Sequence, residues 1–271
     1  MRIERVFPVK TSYTPTDKDV YVGEPDMFVP KGYYDEIHIS VTFTWDIGKS
    51  KHIGELWSDY GKVRLGGPAY GDPGGDFTPG MYLKNGVTIT SRGCNNKCGF
   101  CFVPKREGML REINIEPGHI VQDNNILACS RKHLDAVAEM LRGQRNIEFK
   151  GGLEAKLVDT DSADWLRSFR VKTLWLACDH PNAISGLYDA CKILQDVGFT
   201  RNKMFCYVLI GKDRYEEENR LKEVWNAGCI PFAQLYRNEA DDIKYSKEWK
   251  QFQRKWSRPA IIKSVMSGVA W

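Results

Sequence analysis

Hydrophobic residues cluster along the second half of the chain in segments that predict buried strands. Residues 204–210 are almost continuously apolar, as strands buried in parallel sheets are, and residues 171–177 and 230–235 are rich in apolar residues. Between these segments, apolar residues recur three and four positions apart, which predicts amphipathic helices that end at glycine. Strands that alternate with helices indicate an α/β fold with a parallel sheet.

Three further segments complete this pattern from residue 86 onward. We predict strands at residues 87–90, 119–122 and 147–150, the last of which ends at Gly151-Gly152. The stretch between the first two contains Pro104 and Gly108, so the first crossover helix should be short or missing. Six strands with crossover helices suggest a parallel sheet that curls into a partial barrel.

The first 85 residues show a different pattern. Residues 1–36 are polar and rich in Pro, Gly and Tyr, and predict an irregular arm. A strand at 37–43, a helix and a second strand at 62–65 then predict a small β-α-β unit. Residues 67–86 have the glycine and proline content of a loop. The predicted helix has one apolar face, formed by Ile53, Leu56, Trp57 and Tyr60.

The C-terminal segment, residues 238–271, begins with the charged run 239–242, which we expect to be solvated. Trp249, Phe252 and Trp256 then follow at helical spacing and predict a helix that covers the open edge of the barrel. Interleaved basic residues indicate a nucleic-acid substrate only weakly. We therefore divide the chain into three parts: residues 1–85 (arm and β-α-β unit), 86–237 (barrel) and 238–271 (helical extension).

Composition changes this picture little. The net charge is +4 with 27% charged residues, a mildly basic balance that does not by itself argue for nucleic acid. The sequence contains no run of 18 apolar residues, so we expect no transmembrane helix and no membrane partner. The N-terminus lacks the apolar core of a signal peptide, which predicts a cytoplasmic protein with reduced thiols.

Three of the eight cysteines, Cys94, Cys98 and Cys101, lie close together in a C-x3-C-x2-C pattern. Thiolates bind soft metals and iron–sulfur clusters, and three ligands leave one iron of a four-iron cluster open to a non-protein ligand. Gly93 and Gly99 should let the loop wrap tightly. The alternatives are a zinc site completed by a distant Cys or His, and three unligated core cysteines. Structural zinc sites usually contain paired C-x2-C motifs, and the sequence has no second one.

The other five cysteines are widely spaced within apolar segments. We expect each of them to be a small buried hydrophobe rather than a ligand. They are Cys129, Cys178, Cys191, Cys206 and Cys229.

The cysteine pattern, with Phe100 directly before the last cysteine, resembles the C-x3-C-x-aromatic-C signature of the radical S-adenosylmethionine (SAM) enzymes. The resemblance implies that Cys94, Cys98 and Cys101 hold a 4Fe-4S cluster whose open iron binds SAM, with Phe100 at the cofactor site. It implies a six-stranded partial (βα)6 barrel of the TIM type over roughly residues 86–237. It also implies reductive cleavage of SAM to a 5′-deoxyadenosyl radical, which abstracts hydrogen from a substrate that the sequence does not identify. A reductant protein such as flavodoxin or ferredoxin would supply the electron.

The resemblance also implies SAM contacts at the carboxyl ends of the strands, where function lies in such barrels. Gly151 and Gly152, followed by Leu153 and Glu154, resemble the Gly-Gly-Glu motif whose backbone binds the SAM amino group. The inserted Leu153 leaves the role of Glu154 open, and a plain strand-to-helix turn is the alternative.

Three more positions are implied in the same way. Asn125 follows the second strand and would bind ribose or substrate, with helix capping as the alternative. Asp179 follows the fourth strand and would reach the ribose hydroxyls or the substrate. Ile210 ends the fifth strand, where the family packs an apolar side chain on adenine. No catalytic residue beyond these cofactor contacts can be named.

The β-α-β unit resembles a reduced form of the cobalamin-binding domain that precedes the barrel in some radical SAM enzymes. It has no Asp-x-His-x-x-Gly, the motif that carries the lower axial histidine, and neither His38 nor His52 has that context. We therefore expect no bound cobalamin. Two alternatives stay open: a cobalamin-dependent methylase of the same superfamily, and an iron–sulfur or zinc-binding module without catalysis.

Overall fold

The computed structural model describes residues 1–238 and 243–268. It is an α/β structure with a four-stranded and a six-stranded sheet, whose strands pair in parallel, and a two-stranded antiparallel pair. Two compact units are present: residues 1–118, and residues 119–238 with 243–268. The predicted α/β class with parallel sheets is confirmed, whereas closure into a barrel and the three-part division stay predictions. In the part that the structure describes, no helix is long and apolar enough to cross a bilayer.

The first unit is built on four parallel strands in the order β2-β1-β3-β4. A helix, α1, connects β3 to β4, so the predicted β-α-β unit is confirmed. The bounds are β1 Ile3–Phe7, β2 Val20–Val22, β3 Glu36–Ser40, α1 Ile47–Trp57 and β4 Lys62–Gly66.

The predicted irregular arm over residues 1–36 is wrong for β1 and β2. β1 pairs with β2 on one side and with β3 on the other, so it is a central strand. Within β1, Glu4 and Arg5 are both buried, at 2% and 7% exposure. Two adjacent buried polar residues break the alternation of apolar and polar positions by which strands are recognised in a sequence.

The buried face of α1 differs from the predicted one. Ile53 and Trp57 are buried as expected, but Leu56 is 37% exposed and the helix ends before Tyr60. Gly54 takes the place of Leu56 on the buried face, where it faces Ile39 and Leu65. A glycine carries no apolar side chain, so the hydrophobic pattern predicted that Leu56 rather than Gly54 would lie on the buried face.

The rest of the first unit carries the cysteines between two short paired strands. β6 and β7 pair antiparallel, and the three clustered cysteines lie in the connection between them. The helix in this connection, α2, has only four residues, which confirms the short first crossover helix. The bounds are β5 Val87–Thr88, β6 Ser91–Arg92, α2 Val103–Arg106 and β7 Arg111–Glu112.

The second unit alternates strands and helices, with parallel strands in the order β12-β11-β10-β9-β8. The last three strands have the predicted bounds. The strands are β8 Ile120–Val121, β9 Ile147–Leu153, β10 Val171–Ala177, β11 Met204–Ile210 and β12 Ile230–Leu235. The helices are α3 Arg131–Arg142, α4 Thr160–Arg167, α5 Ile184–Asp196, α6 Arg214–Ala227, α7 Lys247–Lys255 and α8 Pro259–Met266.

β11 shows why these strands form as predicted. Met204, Cys206 and Val208 are fully buried, whereas the alternate residues Phe205 and Tyr207 are only partly buried. Successive side chains of a strand point to opposite faces, so the two faces of this sheet are covered to different extents. The fully buried face packs with the apolar residues of the helices to form the core of the unit.

β9 is longer than predicted. It continues through Gly151 and Gly152 to Leu153, where the sequence indicated a turn. Pairing of Leu153 with Leu176 of β10 extends the strand past the glycines, although a register shift precedes this pair. Tertiary pairing therefore overrides the local preference of glycine for turns.

The C-terminal helices cover the edge strand of the sheet, as predicted. Phe252 and Trp256 are buried at 3% and 0% exposure. The backbone N–H of Ala233 in β12 donates to the carbonyl of Trp256 at 3.0 Å, so the chain itself occupies this edge. The charged run 239–242 lies outside the described residues.

Candidate functional site

The cysteine loop is closed at its base by hydrogen bonds. The backbone N–H of Gly93 donates to Oε2 of Glu107 at 3.0 Å, and that of Cys94 donates to the carbonyl of Gly108 at 3.1 Å. From the other side, the N–H of Leu110 donates to Oδ1 of Asn95 at 3.1 Å. These bonds join the two ends of the loop and hold its backbone next to the β6–β7 pair.

Gly93 is required by this closure. Its φ is +76°, and a Cβ at this position would lie 2.2 Å from the carbonyl oxygen of Met109. Only glycine adopts such a backbone conformation without strain. Gly99 has an ordinary φ and open space around it, so the prediction that both glycines are needed is wrong for Gly99.

The three thiols are accessible, because Cys98 is exposed and Cys94 and Cys101 are half-buried. The N–H of Cys101 donates to the carbonyl of Cys98 at 3.0 Å, which makes a tight turn with Phe100 half-buried within it. Within residues 1–238 and 243–268, no three His, Cys, Asp or Glu side chains form a group that could hold a metal ion. The donor chemistry fits an iron–sulfur cluster, but the thiols would have to turn toward a common point to hold one.

Two arginines fasten the glycine-rich loop beside the cysteine loop. Nε of Arg92 donates to the carbonyl of Gly75 at 3.1 Å, and Nη2 of Arg111 donates to that of Gly74 at 2.6 Å. Arg111 also donates to the carbonyl of Glu107, the residue that closes the cysteine loop. Glu107 and Arg111 are not visible as site residues in the sequence, because no local spacing links them to the cysteines.

The five remaining cysteines are buried, as predicted. Burial raises the pKa of Cys178 to about 12 and raises the pKa of Cys206 well above its ordinary value. Cys191 and Cys229 lie with their sulfurs 3.2 Å apart in the core, and the hydrogen bond between them raises the pKa of Cys229. These raised values keep the titrating thiols protonated, so they are poorly suited to bind a metal as thiolates.

The second unit brings Asn125 and Glu154 together. Asn125 follows β8 and is 3% exposed, and its Nδ2 donates to Oε2 of Glu154, directly after β9, at 2.7 Å. Asn125 makes no side-chain cap to the 3-10 turn Ile126–Ala128, so the capping alternative is not what the structure shows. Nζ of Lys156 lies 3.3 Å from the other carboxylate oxygen, Oε1.

The two glycines of β9 have different surroundings. A Cβ on Gly151 would lie 1.7 Å from the carbonyl oxygen of Asp123, so only glycine lets β9 run this close to the end of β8. Gly152 has a φ of +94° and no atom within 4 Å of its would-be Cβ. Its backbone therefore faces open space, where a ligand could approach closely.

Asp179 links β10 to β11. Its Oδ1 accepts a hydrogen bond from the N–H of Leu209 at 2.9 Å. Burial raises the pKa of Asp179, although the Leu209 hydrogen bond and the charge of Arg220 act in the opposite direction. One carboxylate oxygen is thus used within the fold, and a contact of Asp179 with ribose stays a prediction.

Ile210 is 1% exposed and belongs to the fully buried face of β11. Its carbonyl accepts from the N–H of Tyr236 at 2.8 Å. The side chain offers almost no surface to a ligand in this conformation, so its packing on adenine also stays a prediction.

A cluster of aromatic rings lies on the other face of this sheet and was not found from the sequence. Trp175 stacks on Phe205 and on Tyr207 with ring centroids 4.6 Å apart in both cases, and Phe232 meets it edge-on at 5.4 Å. All four rings are half-buried. Within the described part of the chain, Nε1 of Trp175 is buried without a hydrogen-bond partner, which marks a place for a polar atom of water or ligand. Aromatic residues at alternate positions of β11 are the signal that could have revealed this face.

No protein-family model matches the chain, and a search of curated proteins found no relative. The functional conclusion therefore depends on the residues and their geometry.

Proposed function

We propose that the protein is a radical SAM enzyme. The observation that carries the proposal is the C-x3-C-x2-C loop: three accessible thiols on a backbone that Glu107, Gly108 and Asn95 hold closed. A loop whose backbone is fixed and whose three thiols are accessible suits a group with three protein ligands.

Cys94, Cys98 and Cys101 would hold the 4Fe-4S cluster through their thiolates. When bound, the cluster and SAM together supply a 5′-deoxyadenosyl radical that removes a hydrogen atom from the substrate. The protein's own part is to bind, orient and shield, since the radical chemistry belongs to the cofactors. Phe100, in the turn between the last two cysteines, would help to cover the site.

The carboxyl ends of β8 and β9 supply the residues that we assign to SAM. The open backbone at Gly152 would approach the methionine end of SAM closely, with Gly151 fixing the strand beside it. The Asn125–Glu154 pair lies at the same edge of the sheet, and its side-chain oxygens would accept hydrogen bonds from a ribose hydroxyl or from the amino group of SAM. In the proposed partial barrel, the aromatic rings around Trp175 would line the interior and exclude water from it.

We do not propose a cobalamin-dependent reaction. His38 is bound on both ring nitrogens, by Glu36 and by Tyr82, each at 2.7 Å. The ring nitrogens of His52 face Glu24 and Glu55 at 4.0 and 3.8 Å, on the exposed side of α1. Neither histidine is presented as an axial ligand would be.

The test is anaerobic reconstitution of the full chain with iron and sulfide, followed by metal analysis and electron paramagnetic resonance after reduction by dithionite. We expect about four irons and four sulfides per chain, a reduced-cluster signal that changes when SAM is added, and release of 5′-deoxyadenosine. Replacement of Cys94, Cys98 or Cys101 by Ala should abolish all three results. Stoichiometric zinc without sulfide would instead favour the non-catalytic module, and a cluster that releases no 5′-deoxyadenosine would rule out the enzyme.

A matched pair of glycine variants tests the loop itself. Gly93→Ala should lose most of the reconstituted iron, because its Cβ would clash with the carbonyl of Met109 and its φ is unfavourable for alanine. Gly99→Ala should keep it, since the space around that position is open. Equal iron content in the two variants would contradict the proposal that loop closure positions the thiols.

A further inference from the structure

A crevice opens in the first unit at the carboxyl ends of β1 and β3. The chain continues from β1 to β2 on one side of the sheet and from β3 to β4 on the other, so the strand order reverses between β1 and β3. In open parallel sheets, ligands bind at such a switch point, outside the carboxyl ends of the strands.

Hydroxyl groups and one carboxylate line this crevice. Its polar lining is formed by Thr11, Thr14, Ser40, Thr42, Asp46 and Tyr82. The cavity volume is about 20 Å³, which is room for one hydroxyl group or one water. A ligand would therefore insert one polar group and rest the remainder on the rim.

Tyr82 is oriented by a relay of two further residues. Its hydroxyl lies 2.7 Å from Nδ1 of His38, whose Nε2 lies 2.7 Å from Oε2 of Glu36. The His38 hydrogen bond, together with Arg64, lowers the pKa of Glu36, so this carboxylate is charged and accepts a hydrogen bond from Nε2–H of His38. In neutral His38, Nδ1 accepts a hydrogen bond from the Tyr82 hydroxyl, and the phenolic oxygen can accept a hydrogen bond from a ligand.

The threonines supply a donor. Oγ1 of Thr14 accepts from the N–H of Thr11 at 2.9 Å, and Oγ1 of Thr11 accepts from the N–H of Tyr13 at 3.1 Å. The two hydroxyls lie 3.2 Å apart, so one of them donates to the other. Each hydroxyl has a single proton, and the second proton is therefore available to a ligand. The crevice thus both accepts and donates, as a ligand hydroxyl requires.

Charge and shape narrow the class of ligand. Among the described residues that line the crevice, Asp46 is acidic and none is Lys, Arg or His, which disfavours phosphate and carboxylate groups. Phe43, also in the lining, stacks flat on Trp45 with a centroid distance of 4.5 Å and an interplanar angle of 7°. Both rings are more than a third exposed, and Phe43 offers a flat apolar surface at the rim.

We propose that this crevice binds the ring of a neutral sugar. One hydroxyl would insert between Tyr82, Asp46 and the threonines, and the C–H face of the ring would lie on Phe43. A free monosaccharide and the ribose of a nucleoside present the same chemistry. The site is independent of the cysteine loop and of the proposed radical reaction.

The experiment is a titration of the full chain with D-ribose, D-glucose, adenosine and inorganic phosphate, in which calorimetry and saturation-transfer NMR measure binding. Thr42→Val is the main variant, because the Thr42 hydroxyl lines the crevice and Thr42 is exposed just after β3, so its loss leaves the sheet intact. Tyr82→Phe removes the oriented oxygen, and Tyr33→Phe, at a half-exposed tyrosine away from the crevice, is the matched control. Melting temperatures establish that every variant is folded.

We expect saturable binding of at least one sugar-containing probe, weakened about tenfold by Thr42→Val and by Tyr82→Phe and unchanged by Tyr33→Phe. Binding of free sugars supports a monosaccharide ligand, and binding of adenosine alone supports a nucleoside. Because adenosine also suits the proposed SAM site, only the adenosine binding that is lost in Thr42→Val is assigned to the crevice. Absence of saturable binding, binding unchanged in both crevice variants, or competition by phosphate would overturn the proposal. Replacement of Cys98 by Ala should leave this binding intact, so its outcome is separate from that of the radical SAM test.

Discussion

The two units of this protein form parallel sheets in different ways. In the second unit each central strand buries apolar side chains under helices, as β11 does with Met204, Cys206 and Val208. In the first unit the central strand β1 buries Glu4 and Arg5, and residues 8–19 connect it to β2 as a loop. The core of the second sheet is mainly apolar, although Glu148 of β9 is buried and pairs with Lys150 and Lys172. The central strand of the first sheet instead buries a carboxylate and a guanidinium next to each other.

Arg5 shows what the buried polar groups achieve. Its guanidinium donates to the carbonyls of Gly80 and Met81 at 2.6 and 2.9 Å and pairs with Asp17. One side chain thus anchors the long loop that carries Tyr82 to the face of the sheet. Apolar strands position helices in the second unit, and a buried cation positions loops in the first.

The largest expected effect tests this anchor. Arg5→Met should lower the free energy of unfolding of the first unit by about 1.5–3 kcal/mol, because two carbonyls and a carboxylate lose a charged donor. Hydrogen exchange of peptides from residues 1–118, combined with urea unfolding, measures the loss.

Arg64→Met is the matched control on the same sheet. Arg64 is 56% exposed and makes one ion pair, with Glu36 at 2.5 Å, so its removal should cost less than about 1 kcal/mol. If the two variants lose the same stability, the buried anchor is not what distinguishes the first unit.

A smaller effect is expected at the start of α6 in the second unit. Oδ1 of Asp213 accepts from the N–H groups of Tyr215 and Glu216, both at 2.9 Å. Asp213→Ala should cost about 1 kcal/mol, whereas Asp213→Asn keeps the cap and should cost a few tenths. Thermal unfolding of both variants measures the difference, and equal losses would show that the cap contributes nothing.

The smallest effect concerns pH. Burial raises the pKa of Asp179 above its ordinary value of 3.8, so its contribution to stability is present below the unfolded pKa and is lost as pH rises through the folded pKa. The stability of Asp179→Asn relative to the parent protein should therefore increase as pH rises from 3.8. Urea unfolding at a series of pH values measures this difference; a decrease would mean that Arg220 and Leu209 outweigh burial.

The same contrast explains what the sequence could predict. The bounds of β10, β11 and β12 follow from their apolar segments, and that of β11 is nearly continuous, as in a buried parallel strand. β1 was missed because its buried residues include a carboxylate and a guanidinium. β9 was cut short because glycines favour turns locally, whereas pairing with β10 extends the strand to Leu153.

The candidate site divides in a similar way. The spacing of Cys94, Cys98 and Cys101 is local and visible in the sequence. The residues that hold or complete the site are not visible in the sequence. Glu107 accepts a hydrogen bond from Gly93, 14 positions away, and Glu154 accepts one from Asn125, 29 positions away. Such contacts depend on how strands and loops are brought together, which no periodicity encodes.

The hydrogen bond from Ala233 to Trp256 has a practical consequence for work with fragments. It ties the C-terminal helices to the outermost strand and so prevents that strand from recruiting a strand of another molecule. A shortened protein that stops before residue 247 would keep all its strands yet expose this border. Such a fragment should polymerise through strand addition, so a shorter protein that lacks these helices should aggregate.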